Sequence, residues 1–368
     1  MKKKIVISAI NIHYGGTLSI VKAALSWLSE HVAAEYDIIA LVHNKDLYTY
    51  SNITYVEFPD SRRSWVKRLQ YEYWHFRKLS RELQPYLWFS LHDTSPVVEA
   101  DIQAVYCHNP GPYYQVSRKE AKQDKVFAAF TWFYKYLYQI NIHANTYVVV
   151  QQDWIRNYFV KTFNLPQEKV VVAYPDTNPA PKAIPELSSA AETKTMFFYP
   201  SFPRVFKNFE LIGQAVQLLH DKGIHNFKVV LTADGSENAY AHDIKKVYAH
   251  LPQINWIGAL TREQVDSYYI QSDCLIFPSK LETWGLPITE YKPHQKPMLL
   301  ARLPYAKETV GSYEQVSFFD PHNAAELAGL MEQVIERKIA FEGNQAPAIA
   351  QPFTTNWSEL FHLLLSKR

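Results

Sequence analysis

The sequence predicts an α/β protein made of two doubly wound domains that face each other across a cleft. At 368 residues the chain is long enough for two domains of about 100–200 residues, each able to bury its own core. Short β-branched runs alternate with longer amphipathic stretches, the pattern of parallel strands joined by helical crossovers. That alternation stops once, in the segment from Tyr174 to Pro185 that holds four prolines among small polar residues, and restarts at Thr195. The boundaries that follow are a first domain over 1–174, a linker over 175–193, a second domain over 194–350 and a C-terminal segment over 351–368.

In the first half the predicted strands are Ile5–Ala9, Ile38–Val42, Thr54–Phe58, Leu87–Ser90, Ile102–Cys107, Thr146–Val150 and Lys169–Ala173. The apolar spacing predicts helices between them at Leu18–Glu30, Ser64–Leu83, Ser117–Ile142 and Asp153–Thr162. In the second half the predicted strands are Met196–Tyr199, Lys228–Thr232, Ile254–Ile257, Cys274–Pro278, Met298–Ala301 and Val316–Phe319. Helices are predicted at Asn208–Lys222, Glu237–Leu251, Arg262–Gln271, Leu286–Lys292, Ala324–Glu336 and, last, Asn356–Ser366. Ligands of such sheets bind beyond the carboxyl ends of the strands, so the residues after each strand are the ones that matter.

Composition narrows the function classes. Lys+Arg 38 against Asp+Glu 36 leaves a net charge of +2, too little to draw the chain to nucleic acid. Cys107 and Cys274, the only cysteines, sit in apolar strand-like runs and read as small core residues, which excludes a disulfide framework. No run of about 18 apolar residues is present, and the basic start Lys2–Lys4 leads into a strand rather than a signal-peptide core. The expected location is the cytoplasm, with at most peripheral contact at the inner face of the membrane. Glycine makes up 11 residues, about 3% where roughly 7% is usual, so each glycine carries information.

The strongest local signal is Phe277-Pro-Ser-Lys-Leu-Glu-Thr-Trp-Gly-Leu-Pro-Ile-Thr-Glu290. A buried strand ends, a polar loop carries Glu282 and Gly285, and a helix opens near Leu286 with Pro287 in its first turn, where the missing N–H is not needed. A helix start with a glycine before it suits a phosphate, and carboxylates at Glu282 and Glu290 suit the hydroxyls of a sugar and a ribose. The plain alternative is a capped helix with surface glutamates. A second cluster, Arg204 and Lys207, follows the first strand of the second half, where two cations could neutralise a diphosphate; solvated loop charges are the alternative. In the first half, Gly15 and Gly16 follow the first strand, His108 follows Cys107 in a Pro-Gly loop, and His92–Asp93 follows Ser90 as the weaker histidine candidate. No G-x-G-x-x-G accompanies them, which argues against a nicotinamide site.

Glu282-x-x-Gly285-x-x-x-x-Glu290 after Phe-Pro-Ser resembles the E-x7-E motif of retaining glycosyltransferases of the GT-B fold, group 1 or family 4 type. Gly15-Gly16 and Trp256-Ile-Gly258 extend the resemblance, which implies two Rossmann-like domains and a C-terminal helix after Trp357 that crosses back to the first. The resemblance implies a hexosyl-type transfer from a nucleotide-sugar donor to a hydroxyl acceptor, such as a glycan or lipid-linked saccharide of a surface polysaccharide. Retention of anomeric configuration, and no metal or other cofactor, are implied with it. By resemblance Glu290 would bind the ribose, Glu282 the transferred sugar and Lys207 the diphosphate, with Trp284, Gly285 and Leu286 shaping the donor loop. Gly16 and His108 would come from the acceptor side, and His108 would position sugar or acceptor. The chain departs from the family pattern at Ser201-Phe202, where Gly-Arg is usual, which makes Arg204 the candidate substitute; Trp284 replaces a commoner Phe, and Gln295 a frequent Gly.

Residues 62–81 carry seven basic residues against one acidic, with Trp65, Leu69, Tyr73 and Phe76 at helical spacing. Such a helix would either pack its aromatic face on the sheet or lie on anionic lipid. Tyr113, Tyr114, Trp132, Tyr134 and Tyr136 read by default as core. The alternatives to a transferase are an epimerase or hydrolase acting on a sugar nucleotide, or a non-catalytic, membrane-associated carbohydrate-binding protein; both glutamates together with Lys207 argue against the last.

Overall fold

A computed structural model describes residues 2–13, 15–176 and 194–366; most of the segment read as a linker lies outside the described residues. The strands in chain order are β1 (Lys3–Ala9), β2 (Tyr36–Val42), β3 (Thr54–Glu57), β4 (Leu87–Ser90), β5 (Ile102–Cys107), β6 (Tyr147–Val150) and β7 (Val170–Ala173). They continue with β8 (Thr195–Tyr199), β9 (Phe227–Leu231), β10 (Ile254–Trp256), β11 (Cys274–Phe277), β12 (Met298–Ala301), β13 (Val316–Phe319) and β14 (Phe353–Thr354). Two compact units result. One takes residues up to Tyr113, Phe130–Asp176 and the chain from Ile349 on; the other takes Tyr114–Ala129 and, of the described chain, 194–348.

The first unit holds an eight-stranded sheet in the order β14-β7-β6-β5-β4-β1-β2-β3, the second a six-stranded sheet in the order β10-β9-β8-β11-β12-β13. Strand pairing is parallel throughout both. Counted from its own first strand, the second sheet runs 3-2-1-4-5-6, the order of a Rossmann half-pair. Both units are Rossmann-like.

The β-branched runs form strands because both faces of a parallel sheet are covered and each residue finds an apolar neighbour. In β1, Ile5, Ile7 and Ala9 enter a core shared with Leu25, Leu28, Trp357 and Phe361, while Val6 and, just past the strand, Ile10 enter another with Phe76 and Trp88 on the opposite face. A third cluster joins Tyr134, Tyr138, Phe159 and Phe163 to Val148 and Val150. The C-terminal segment belongs to the first unit. β14 pairs Phe353 with Val172, Arg156 donates to the carbonyl of Ala350 at 2.8 Å, and the Phe361 ring stacks on Trp27 at 5.0 Å.

Two long helices differ from expectation. The stretch expected as one helix over 64–83 is a helix Trp65–Gln70, a wider π turn Tyr71–His75 and a helix Phe76–Leu83. The wide turn shifts the register, so Phe76 is buried while Trp65 is 49% exposed. Charges do not all face water either: Arg68 and Glu72 are buried as an ion pair at 2.7 Å, and Arg68 also donates to the carbonyl of His92 at 2.7 Å. The stretch expected as one helix over 117–142 breaks at Asp124 into Arg118–Gln123 and Lys125–Gln139, because the Asp124 carboxylate accepts the N–H of Phe127 at 2.9 Å and opens a new helix. Of the aromatic residues expected in the core, Tyr134 is buried, but Trp132 and Tyr136 are exposed.

Candidate functional site

In a doubly wound sheet the crevice lies where the strand order reverses. In the second unit that point is between β8 and β11. The loop after β8 carries Arg204 and Lys207, and the loop after β11 carries Glu282. The sequence clusters, 75 residues apart, therefore converge: the Lys207 ammonium donates to Glu282 Oε1, and both side chains are mostly buried.

The two loops are stitched together. Asn208 is buried with a left-handed backbone (φ 61°), and its side-chain amide donates to the carbonyls of Pro278 at 3.1 Å and Pro321 at 2.8 Å. The Lys280 N–H donates to the carbonyl of Phe206 at 2.7 Å, and the Tyr199 hydroxyl to that of Lys207 at 2.8 Å. These bonds hold the Lys207 and Glu282 backbones at fixed separation, which a preorganised charge site requires.

Arg204 pairs with Asp124 at 3.1 Å, and Lys280 with Glu120 at 2.8 Å and Glu210 at 3.4 Å. Burial alone would raise the Glu120 carboxyl; hydrogen bonds from Lys280, Tyr114 and Ser117 win and hold it down at about 2. The segment 114–129, which comes from the first half of the sequence, thus packs on the loop after β8, and its Phe127 ring lies 4.9 Å from that of Phe206.

After Glu282 the chain turns through Gly285 at φ 87°, in the left-handed region. A Cβ there would lie 3.3 Å from Ile288 and 3.5 Å from the Phe277 ring. The helix that follows, Leu286–Tyr291, is only six residues long, and Leu286 is exposed at its start. Trp284 is buried; its indole N–H donates to Thr289 at 2.9 Å and its carbonyl accepts from Thr309. Glu290 accepts from Arg262 and, at 2.8 Å, from the Tyr269 hydroxyl. Both motif glutamates therefore stand as ionic acceptors already holding a donor.

His108, Gly15 and Gly16 lie in the first unit, the other seven candidate residues in the second. Gly15 and Gly16 open the helix Gly15–His31 next to β1, which with β4 forms the reversal point of the first sheet. His108 is buried and stacks on Tyr106 with ring centroids 4.4 Å apart. Its Nε2 lies 3.1 Å from the carbonyl of Leu91, which can only accept, so the proton sits on Nε2 and Nδ1 is a bare acceptor with no partner among the described residues. Burial holds this imidazole below its ordinary value, against the pull of Asp93. Asp93 (φ 73°) positions the loop: its carboxylate accepts the N–H groups of His108 at 2.5 Å and Asn109 at 3.1 Å and the hydroxyls of Tyr134 at 2.9 Å and Tyr138 at 3.0 Å. His92 is enclosed between Ser8 at 2.8 Å and Thr94 at 2.9 Å.

The sequence reading missed Lys280, Asn208 and the Arg262–Tyr269 pair that holds Glu290. Lys280 alone had a local signal, standing two residues past Pro278 in the loop after β11. Among the described residues no group of three or more His, Cys, Asp or Glu is placed to hold a metal ion.

Residues 180–346 match the family model of the glycosyl transferases group 1. No curated protein matches the chain by sequence. Among solved structures, a glycosyltransferase from Rickettsia africae superposes with a TM-score of 0.66 at 16% identity, over 91% of this chain and 88% of that one. Anabaena HepE in complex with UDP and glucose gives 0.61 at 13% identity over 91% and 90%, and WaaG, a glycosyltransferase of lipopolysaccharide biosynthesis, 0.64 at 12% over 90% and 90%. With the E-x7-E loop at the reversal point of a 3-2-1-4-5-6 sheet, these matches give the chain the two-domain GT-B fold and make its second half similar to the glycosyl transferases group 1.

Proposed function

We propose that the chain transfers a hexosyl group from a nucleotide-sugar donor to a hydroxyl of a glycan or lipid-linked saccharide of a surface polysaccharide, with retention and without a metal ion, at the cytoplasmic face of a membrane. The observation that carries this reading is the Lys207–Glu282 pair at the reversal point, with Arg204 on the same loop.

As the bond between the anomeric carbon and the β-phosphate oxygen breaks, negative charge gathers on the leaving nucleoside diphosphate. The Lys207 ammonium and the Arg204 guanidinium supply the compensating charge, in a loop held rigid by Asn208. The acceptor oxygen bonds to the same face of the anomeric carbon, and its proton passes to the departing phosphate oxygen, which gives retention. Glu282, released from Lys207, accepts from hydroxyls of the donor sugar; Glu290 accepts from the ribose. His108, a bare Nδ1 acceptor, receives a hydroxyl of the sugar or acceptor rather than forming a bond to carbon.

The test is a thermal-shift screen of nucleoside diphosphates and their sugar conjugates, followed by donor consumption measured on the best binder. One nucleotide is expected to raise the melting temperature selectively, and Lys207→Ala, folded by circular dichroism, is expected to lower turnover about 10²–10³-fold. A screen with no selective shift, or full turnover in the Lys207 variant, overturns the reading. Retention is checked by the anomeric coupling of the product.

A further inference from the structure

The helix Arg262–Gln271 follows β10, and its start is fixed by a reciprocal cap: the Thr261 hydroxyl accepts the N–H of Gln264 at 3.4 Å, and the Gln264 side chain accepts the N–H of Thr261 at 2.8 Å. Arg262 and Tyr269 stand seven residues apart on it, about 20° from alignment at 100° per residue, so both reach the same side. What they reach is Glu290. The Arg262 guanidinium donates to its Oε1, and the Tyr269 hydroxyl to its Oε2 at 2.8 Å. Neither donor is loose. Tyr269 is buried, its ring 5.7 Å from that of Phe198 and 5.6 Å from that of Tyr291, and Arg262, though half exposed, is held from its own helix by Asp266 at 2.9 Å. Burial first, and the Glu290 carboxylate second, push the Tyr269 hydroxyl well above its ordinary value, so it stays a donor at neutral pH.

An ionised carboxylate has two oxygens and about four lone-pair directions. With one donor already on each oxygen, the plane of the Glu290 carboxylate is fixed and each oxygen keeps an acceptor direction of its own. The side chain is still 17% exposed, so a ligand can reach it. Two acceptors held side by side match two hydroxyls on neighbouring carbons. A ribose ring carries such a pair at C2′ and C3′, whereas a 2′-deoxyribose carries one of the two. With either protein donor missing, the carboxylate would turn about its last side-chain bond, whose torsion is soft, and the match to a pair would be lost.

We propose that Arg262 and Tyr269 are positioning residues that make Glu290 a paired acceptor, and that this pair selects a ribonucleoside diphosphate donor against its 2′-deoxy counterpart. The selection rests on the reading of Glu290 as the glutamate that takes the ribose, and it adds what sets the sugar of the nucleotide. A thymidine-type diphosphate, which lacks the 2′-hydroxyl, leaves one oxygen of Glu290 without the group it faces and is a poor ligand.

The experiment is titration calorimetry of the full chain with UDP, GDP and ADP and with the 2′-deoxy form of each. For whichever base binds, the ribose form is expected to bind about ten- to a hundredfold more tightly than its deoxy form. Tyr269→Phe, which keeps the ring and removes the donor, and Arg262→Gln, at a half-exposed position, are each expected to weaken the ribose form about three- to tenfold and the deoxy form little, so that the ratio falls by that factor. The ratio is taken within one variant, so a general loss of stability cancels, and a merely structural bond would leave it unchanged. Should Tyr269→Phe fail to fold, Arg262→Gln reads the same ratio alone. Equal binding of the ribose and deoxy forms by the unaltered chain, or an undiminished ratio in either variant, would overturn the proposal while leaving nucleotide binding in place. If no nucleoside diphosphate binds, the transferase reading falls and the proposal with it.

Discussion

Lys207 and Glu282 are each other's partner in the described site, and the further cations on the same two loops are also held: Arg204 by Asp124 and Lys280 by Glu120 and Glu210. In the proposed reaction an incoming diphosphate would therefore compete with protein carboxylates for these cations. Arg204 is half exposed, so its pair with Asp124 is worth no more than about 1 kcal/mol after screening. Asp124→Ala is accordingly expected to tighten nucleoside-diphosphate binding about two- to fivefold, read by titration calorimetry; weaker binding would show that Asp124 instead orients the arginine for the ligand. Lys207, Glu282 and Glu290 were legible in the sequence because strand, loop and helix chemistry lies in consecutive residues. Asp124 was not, since it lies 80 residues from Arg204 in the chain and nothing local links them.

At the scale of elements, helix propensity and packing oppose each other at Gly213, in the middle of the helix Phe209–Asp221. A Cβ there would overlap the ring of Tyr248 from the helix Ala239–Tyr248. Alanine would gain about 1 kcal/mol as a better helix former, but crowding of a packed core costs about 1–3 kcal/mol. Because Tyr248 is buried and has little room to retreat, crowding is expected to win: Gly213→Ala should lower the melting temperature by about 2–4 °C, and a rise would mean that the ring yields. The scarce glycines thus serve close approach inside a helix as well as turns after strands. Helix existence was legible from spacing, whereas the π turn at Tyr71–His75 was not, because the buried Arg68–Glu72 pair and its bonds to His92 and Thr94 come from another strand's loop.

For the molecule as a whole, the acid limb of stability follows from its buried histidines. Burial, aided by Arg68 and opposed by Glu72, lowers His92 to about 4, whereas in the unfolded chain it titrates near its ordinary 6.5. As pH falls below 6.5 the unfolded chain takes up a proton that the folded one refuses until about 4, so stability present at neutral pH is lost across that window, in all by about 3 kcal/mol. His108 is shifted in the same direction and adds to the loss. Urea midpoints should drop between pH 7 and pH 4.5 by an amount that shrinks in His92→Gln; an unchanged slope in that variant would assign the acid limb to the carboxylates. The sequence by itself determined two parallel α/β sheets and the stations of Lys207 and Glu282 on the loops after their strands and of Glu290 on the helix that follows, because apolar periodicity and strand-to-helix chemistry are properties of neighbouring residues. Only the tertiary structure decided that segment 114–129 packs on the loop after β8, that Arg68 and Glu72 are buried, and that Trp132 and Tyr136 face outward. Each of these depends on contacts between residues far apart in the chain, where burial, charge pairing and packing outweigh local preference.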